Sequence, residues 1–462
     1  MPPDAYEAHQ LDDLASDSDS DLEAAPAHYP PRGDSDHESD DEPLAWKQQR
    51  QPRKRRRLHW RTAVVAAVGG LAVGALVVHL AARPPKRLPV FLEDLKQEGV
   101  TSDAPVRIHY RSDDGQNRRD PILPPDCPIP VTFTTDERSA DIVVLNTDRY
   151  MHLEDGELQR LRRERPWQYF SMWGVESAPN RRSLEDHFNA LRDGRQNETA
   201  QYEMTYRLNS TVPATYAYDM FDFNNPPLPY DEKRQDRIVA AMITNCSPRN
   251  ARTLVLDELL SLLPGQLDSF GACRKNADIA GTLKELGIFD AVGQHTRWNE
   301  KITLINRYKF TIAFENSNDL DYATEKLWQS FERGTVPLVY GPPEAARRFF
   351  PAPNAAIDLA DYLPPQYLEL STSYTSAPTN LTVEAKQGVA RLAKRLQHLA
   401  SPEGREEYEA MLAWKKDGAW SKDPENPLNK VVRASKSQYT QDCRLAGVLR
   451  GQGWAKNTWT AP

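Results

Sequence analysis

A polar run, Glu315-Asn316-Ser317 through Asp321-Tyr322-Ala323-Thr324-Glu325-Lys326, follows directly on the apolar stretch Phe310–Phe314. Such a stretch reads as a buried strand that empties into a polar loop. A helix is then expected from Thr324 to Arg333, with Thr324 as N-cap and Gly334 as its stop. The N-terminus of a helix presents free N–H groups and a partial positive charge, which suit phosphate. Lys326 adds a full positive charge in the first turn. Glu325 suits hydrogen bonds from sugar hydroxyls, or a developing positive charge. From spacing alone, a capped surface helix with solvated Glu and Lys fits at least as well. Arg252 opens a second expected helix after the strand Ile238–Thr244, again a phosphate position, and Arg249 three residues before it competes for the role.

These residues need strands to aim them. Ala140–Asn146 is an apolar run of the kind a buried parallel strand requires. Leu153–Arg165 reads as a charged helix, and Trp167–Met172 as a strand just before Gly174-Val175-Glu176-Ser177. Met204–Tyr206 and Thr215–Tyr218 complete this half, and Asn224–Pro229 reads as a linker. A second series follows: strand Ile238–Thr244, helix Arg252–Leu263, strand Leu267–Phe270, helix Lys301–Tyr308, strand Phe310–Phe314, helix Thr324–Arg333 and strand Val336–Tyr340. Strands alternating with helices predict parallel sheets covered on both faces, so the fold class is α/β, with two doubly wound domains facing a cleft. Ligands bind at the carboxyl ends of such strands, where the polar residues cluster.

The chain has 462 residues, enough for two or three domains, and a formal net charge of −8. Residues 1–45 hold 14 acidic residues and one Arg, while residues 83–462 hold 49 basic and 52 acidic residues. The near-neutral bulk speaks against a nucleic-acid binder. The 36 Pro follow no period, which rules out collagen and solenoid readings. Thr62–Ala82 is an uncharged run of 21 residues, interrupted only by His79 and long enough for one bilayer core. It lies too far from the start for a cleaved signal peptide and reads as an anchor. The basic cluster Arg53–Arg57 with Arg61 outweighs Arg83, Lys86 and Arg87, so the C-terminal bulk is expected on the lumenal side. The expected organisation is an acidic, disordered cytoplasmic tail with a basic flank (1–61), a transmembrane helix (62–82), a stem (83–104), a first domain (105–230), a second domain (231–400), and a C-terminal segment (401–462) packing back on the first. Asn197, Asn209 and Asn380 are expected glycosylation acceptors; Asn245 is a poor one, because Pro248 follows and it reads as the end of a strand.

The pattern Tyr308-Lys309-Phe310…Phe314-Glu315-Asn316-Ser317…Asp321-Tyr322-Ala323-Thr324-Glu325-Lys326…Gly334-Thr335-Val336-Pro337…Gly341-Pro342 resembles the donor-binding signature of the α1,3-fucosyltransferases, glycosyltransferase family 10. Asn245-Cys246…Arg249-Asn250…Arg252, Asp268-Ser269-Phe270-Gly271-Ala272-Cys273, Trp414-Lys415 and Cys443-Arg444-Leu445 resemble its branch that fucosylates the N-glycan core. The resemblance runs from about residue 125 to 450. It implies a type II Golgi enzyme of the two-Rossmann, GT-B kind, which uses GDP-β-L-fucose and inverts the anomeric centre. The implied partners are GDP-fucose, an N-glycan or glycoprotein acceptor, and the membrane through one helix, with no nucleic acid.

Within that resemblance Glu176 matches the family's catalytic carboxylate, in Trp173-Gly174-Val175-Glu176-Ser177-Ala178-Pro179, where Ala178 separates Ser177 from Pro179 unlike many animal members. Arg252 and Lys326 match the diphosphate-binding residues, with Arg249 in competition. Glu325 would face the fucose, Asn316 and Tyr322 would line the donor pocket, and Glu315 would fix the loop. Met204-Thr205-Tyr206-Arg207-Leu208-Asn209-Ser210 resembles a family block in which Asn209 replaces the usual Asp. Tyr206 and Arg207 there either brace the cleft or touch ligand. No His/Cys/Asp cluster has metal-ligand spacing, so no metal is expected to be required, and stimulation by Mn²⁺ stays open. All four Cys follow the span. Cys246 and Cys273 each follow a strand; if those strands are neighbours the two can pair, which leaves Cys127 with Cys443. Two other readings are a Lewis-type enzyme acting on N-acetyllactosamine, and a lumenal binding protein on an inactive copy of the fold.

Overall fold

The computed structural model describes residues 104–111, 127, 129–147, 156–217, 221–288, 297–342, 347–374, 376–416, 418–435 and 441–450. The tail, the apolar span 62–82 and nearly all of the stem lie outside the described residues. Among the described residues no helix is long and apolar enough to cross a membrane.

Two five-stranded sheets carry the fold, and every strand pairing in them is parallel. The first contains β1 (Val106–Arg111), β2 (Val131–Phe133), β3 (Ile142–Asn146), β4 (Tyr169–Gly174) and β5 (Tyr202–Thr205), in the order β2-β1-β3-β4-β5. The second contains β6 (Val239–Ala241), β7 (Leu267–Ser269), β8 (Phe310–Phe314), β9 (Val336–Tyr340) and β10 (Ile357–Asp358), in the order β10-β9-β8-β6-β7. Numbered within its own sheet, each runs 2-1-3-4-5, a doubly wound order. The order reverses between β6 and β8 in the second sheet, so that is where a crevice opens at the strand ends. The strands are apolar runs because both faces are covered; β8 and β9 are buried at every residue.

The labelled helices are α1 (Glu157–Glu164), α2 (Arg182–Arg192), α3 (Arg252–Leu262), α4 (Ile279–Glu285), α5 (Arg297–Ile305), α6 (Glu325–Glu332), α7 (Val383–Leu399), α8 (Arg405–Met411) and α9 (Gln441–Arg450), and two further helices, Ala419–Lys422 and Pro427–Ser435, lie between α8 and α9. Strand β1, strand β2, strand β10 and the helices α2, α4, α7, α8 and α9 escaped the sequence reading. Strands β2 and β10 span three and two residues, too short for a periodic signal. Residues 215–217 form no strand, contrary to expectation; Tyr216 there donates to the Val175 carbonyl at 3.0 Å and meets the Tyr322 ring edge-on. Strand β6 ends at Ala241, so Asn245 lies in the loop beyond it.

Gly334 stops α6 as expected, at φ +60, and a Cβ there would meet Pro227 at 2.4 Å. The linker is thereby pressed onto the end of α6. Beneath α6, Trp328, Phe331, Phe223, Trp414 and Trp420 join one apolar cluster with the core of the first sheet. Fully burying such side chains stabilises by about 1.5–3 kcal/mol each. This shared cluster holds the two sheets in one compact unit. The C-terminal segment divides its packing, contrary to the expectation that all of it returns to the first domain. Tyr408, Met411 and Leu412 belong to the second sheet's core, and only from Trp414 onward does the chain join the first cluster. Helix α9 reaches the first sheet through the Cys127–Cys443 disulfide and a bond from Trp173 Nε1 to Gln441 at 3.1 Å.

Candidate active site

Three loops meet at the carboxyl ends of the strands. The loop after β6 carries Arg249 and Arg252, the loop after β8 carries Glu315 to Thr324, and the loop after β4 carries Glu176 from the opposite sheet. Parallel sheets project all their loops from one edge, so the alternation of the sequence alone brings these residues to one side.

Glu176 is buried, 5% exposed. Four donors converge on its Oε1: the Ser177 amide at 2.8 Å, Asn180 Nδ2 at 3.1 Å, Asn316 Nδ2 at 3.3 Å and the Tyr322 hydroxyl at 2.8 Å. Asn316 and Tyr322 come from the second sheet, so both expected pocket residues meet the expected base across the cleft. Burial, with Glu176 alongside, holds the Tyr322 phenol far above its ordinary pKa, so it remains a donor.

The loop after β8 is fixed from within. Glu315 takes the Thr324 amide at 2.7 Å and the Thr324 hydroxyl at 2.9 Å. That corrects the expected cap: Thr324 holds the N-cap position, but its hydroxyl is spent on Glu315 and makes no cap bond. The helix N-terminus is left without that side-chain cap. Lys326 Nζ lies 3.3 Å from Glu325, 3.7 Å from Glu315 and 3.1 Å from the Thr324 hydroxyl. Lys301, on α5, approaches Glu325 at 3.6 Å. Burial pushes the Glu325 carboxyl upward, but Lys326 and Lys301 outweigh it and hold the pKa at about 2. Burial raises the Glu315 carboxyl despite Lys326, with Glu325 adding to the rise. Glu325 is therefore anionic at neutral pH.

The two arginines expected to compete for the diphosphate differ in burial and partners. Arg252 is 1% exposed, and its guanidinium donates to the carbonyls of Phe314 at 3.2 Å and Asn245 at 2.8 Å. It stands in the wall as a brace between two strand ends, because a buried guanidinium must satisfy its donors on whatever backbone lies near. Arg249 is half-buried; it donates to Asn180 at 2.8 Å and to the Ser373 carbonyl at 3.1 Å, spanning the two sheets. Tyr206 and Arg207 brace the cleft through Asp319, which both of them hydrogen-bond. Asp321, at φ +59, accepts from the Leu208 amide at 3.0 Å and from Arg348. Asn180, Lys301 and Asp319 were not anticipated, and Asp321 stands in the signature pattern without a role. In the sequence each is an ordinary polar residue of a loop or helix, and only the partner brought by the other element marks it.

Both disulfides form as the pairing argument expected, Cys246–Cys273 and Cys127–Cys443, and the first pair does follow neighbouring strands. Among the described residues no cluster of three or more metal-ligating side chains occurs. Asn197, Asn209 and Asn380 are exposed.

Residues 232–376 match the family model described as glycosyltransferase family 10 (fucosyltransferase), C-terminal. The chain is 33% identical over 216 residues to a fucosyltransferase-like protein of Arabidopsis thaliana, covering 46% of this chain and 33% of that one. It is 34% identical over 125 residues to GDP-fucose protein O-fucosyltransferase 3 of Canis lupus familiaris, covering 27% and 24%. It is 31% identical over 234 residues to a 4-galactosyl-N-acetylglucosaminide 3-alpha-L-fucosyltransferase of Pan troglodytes, covering 50% and 56%. The chain thus spans from 24% to 56% of the length of these curated relatives. A crystal structure of an alpha1,3-fucosyltransferase superposes with a TM-score of 0.40 at 15% identity, covering 78% of this chain and 93% of that one. The matched stretch contains Arg249, Arg252, Lys301 and the loop from Glu315 to Lys326, so residues 232–376 carry the C-terminal domain of glycosyltransferase family 10, the fucosyltransferase family.

Proposed function

We propose that this protein is an inverting fucosyltransferase that moves L-fucose from GDP-β-L-fucose to the 3-hydroxyl of a GlcNAc residue, the N-glycan core GlcNAc foremost. The observation that carries the reading is the juxtaposition of a buried carboxylate, Glu176, with the loop and helix N-terminus that bear Glu325 and Lys326. The name of one relative, a GDP-fucose protein O-fucosyltransferase, supports the donor.

In this reading Glu176 takes the proton of the acceptor hydroxyl. The acceptor oxygen bonds to the anomeric carbon from the face opposite the nucleotide. The bond to GDP breaks, and GDP leaves with the electron pair. Lys326, Arg249 and the N-terminus of α6 meet the charge that gathers on the diphosphate. Glu325, anionic at neutral pH, faces the positive charge that builds on the sugar. The positive groups suffice for this chemistry without a required metal, and turnover in the presence of a chelator, with and without added Mn²⁺, tests that part. The chain acts as a type II Golgi membrane protein, with residues 62–82 as its anchor.

The core acceptor is favoured by the Asn245-Cys246 and Gly271-Ala272-Cys273 patterns, whose two Cys pair beside the donor site. A second reading, a hydroxyl of a folded protein as acceptor, is favoured by the O-fucosyltransferase similarity, and a third, an N-acetyllactosamine antenna, by the 3-alpha-L-fucosyltransferase similarity. The test is a mass-shift assay with the full chain, GDP-fucose and a mixture of an N-glycan retaining its chitobiose core, free N-acetyllactosamine and a Ser/Thr-containing folded domain. One added deoxyhexose on the core GlcNAc, resistant to α1,6-specific cleavage, is the expected result. Addition to either other acceptor keeps the donor chemistry and replaces the acceptor. No transfer to any, with GDP bound, removes the enzyme reading in favour of a binding protein.

A further inference from the structure

The loop after β8 does more than line the donor side. Its Asn316 and Tyr322 donate to Glu176 Oε1, and Ser317 Oγ meets Ser177 Oγ at 2.6 Å. Half of the four donors that orient the Glu176 oxygen thus belong to the other sheet. The orientation of the base is a property of the closed cleft, not of its own loop, and something must hold that cleft closed at this point.

Asp319, 6% exposed, does so. Its Oδ2 accepts from the Ala178 amide at 3.2 Å and from the Tyr206 hydroxyl. Its Oδ1 accepts from Arg207 and from the Leu320 amide at 2.7 Å. The Ala178 amide is shared with the Tyr206 hydroxyl at 2.8 Å. Ala178 lies two residues after Glu176, so one carboxylate from the second sheet grips both the base loop and the turn after β5. Arg207 is seated for this by Phe188, whose ring lies 4.8 Å from its guanidinium carbon. The general seam between the sheets is held elsewhere, by the aromatic cluster under α6 and by Glu185, which accepts from the Ser373 amide at 3.1 Å. Removing Asp319 therefore loosens the base loop at Ala178, with the Ser317–Ser177 and Arg249–Asn180 bonds remaining, while the seam stays.

We propose that Asp319 is a positioning residue that couples seating of the donor loop on the first domain to alignment of the Glu176 carboxylate. This rests on the reading of Glu176 as the base. Misplacement of a reacting group by about 1 Å costs roughly a hundredfold in rate, without a matching loss of binding. The coupling thus predicts a specific signature, a fall in kcat with donor affinity preserved.

The test is Asp319→Asn in the full chain, with Tyr206→Phe as a milder variant that removes one of the grips. Steady-state transfer to whichever acceptor the wild type uses, GDP affinity by calorimetry and the thermal midpoint are measured together. The expected result is a kcat about 10- to 100-fold lower in Asp319→Asn and about threefold to tenfold lower in Tyr206→Phe, with GDP affinity and donor KM changed less than threefold. Arg207→Lys, which keeps the cation beside Asp319, should retain more kcat than Arg207→Met. Normal kcat in Asp319→Asn, or a loss confined to KM, overturns the coupling alone. If Asp319→Asn fails to fold, normal kcat in a folded Tyr206→Phe overturns it in its place. A wild type that binds GDP without transferring fucose overturns the enzyme reading, and the coupling with it.

Discussion

Glu176 and Lys326 stand on opposite sheets and divide the proposed reaction between them, the first serving the proton and the second the leaving group. Their variants should separate accordingly. Glu176→Gln keeps the shape that its four donors surround, so GDP affinity should stay within about twofold while turnover falls by about 10²–10⁴. Lys326→Ala removes the cation beside Glu315 and Glu325, so both donor KM and rate should suffer, and GDP titration should show weakened binding. Near-normal turnover in Glu176→Gln would remove the base assignment. Arg252→Ala should behave differently from either. Its donors serve carbonyls in the wall, so the loss should show first in the thermal midpoint.

At the scale of elements, α6 matters most, because its first turn carries Glu325 and Lys326 and its last turn is tied to the C-terminal segment. Lys415 donates to the carbonyls of Phe331 at 2.7 Å and Glu332 at 3.2 Å at the end of α6, and to Phe223 at 2.8 Å. Burial pulls its pKa down to about 7, against the pull of Glu332 and Asp222. The unfolded chain holds that proton more tightly, so from about pH 7 towards 10.5 unfolding takes up a proton and stability rises with pH. Below about 7 the full penalty stands. Lys415→Met lacks this gain, so between pH 7 and 9 its stability relative to wild type should drop by about 2 kcal/mol, read from denaturant midpoints at each pH. The Cys246–Cys273 bridge closes the neighbouring loop after β6 over a separation of 27 residues. Cys273→Ser should destabilise by about 3 kcal/mol, with faster amide exchange in residues 245–252 than in α7.

At the scale of the whole molecule, the proposed topology makes two demands that can be checked in microsomes. Asn197, Asn209 and Asn380 are exposed on the described unit, so treatment with peptide N-glycosidase should shift the protein's mobility. Protease added outside should remove the acidic tail and leave the two-sheet unit intact. Digestion of the whole chain from outside would put the bulk on the wrong side and sink the proposed orientation. Among the described residues the C-terminal helix α9 is anchored by the Cys127–Cys443 bridge, across 316 residues, and by Arg444 to the Pro213 carbonyl at 3.1 Å, so it belongs to the same unit as the loops that carry Glu176 and Lys326.

Sequence by itself determined the parts that depend on local pattern. Apolar runs such as Phe310–Phe314 and Val336–Tyr340 matched β8 and β9 residue for residue, because strands buried on both faces must be apolar throughout. Alternation with helices determined the two parallel sheets, whereas the Cys246–Cys273 pairing stayed conditional on β6 and β7 being neighbours, which the fold supplied. Tertiary structure decided what depends on who meets whom. Spacing could not show that Thr324 gives its hydroxyl to Glu315, that Arg252 is turned onto carbonyls, or that the residues from 401 to 412 pack on the second sheet. It also could not show Asp319 beneath Tyr206 and Arg207, more than a hundred residues apart. The physical reason is the same in each case. A polar side chain in a buried place bonds to whichever partner the packing brings, and packing is set by contacts distant in sequence.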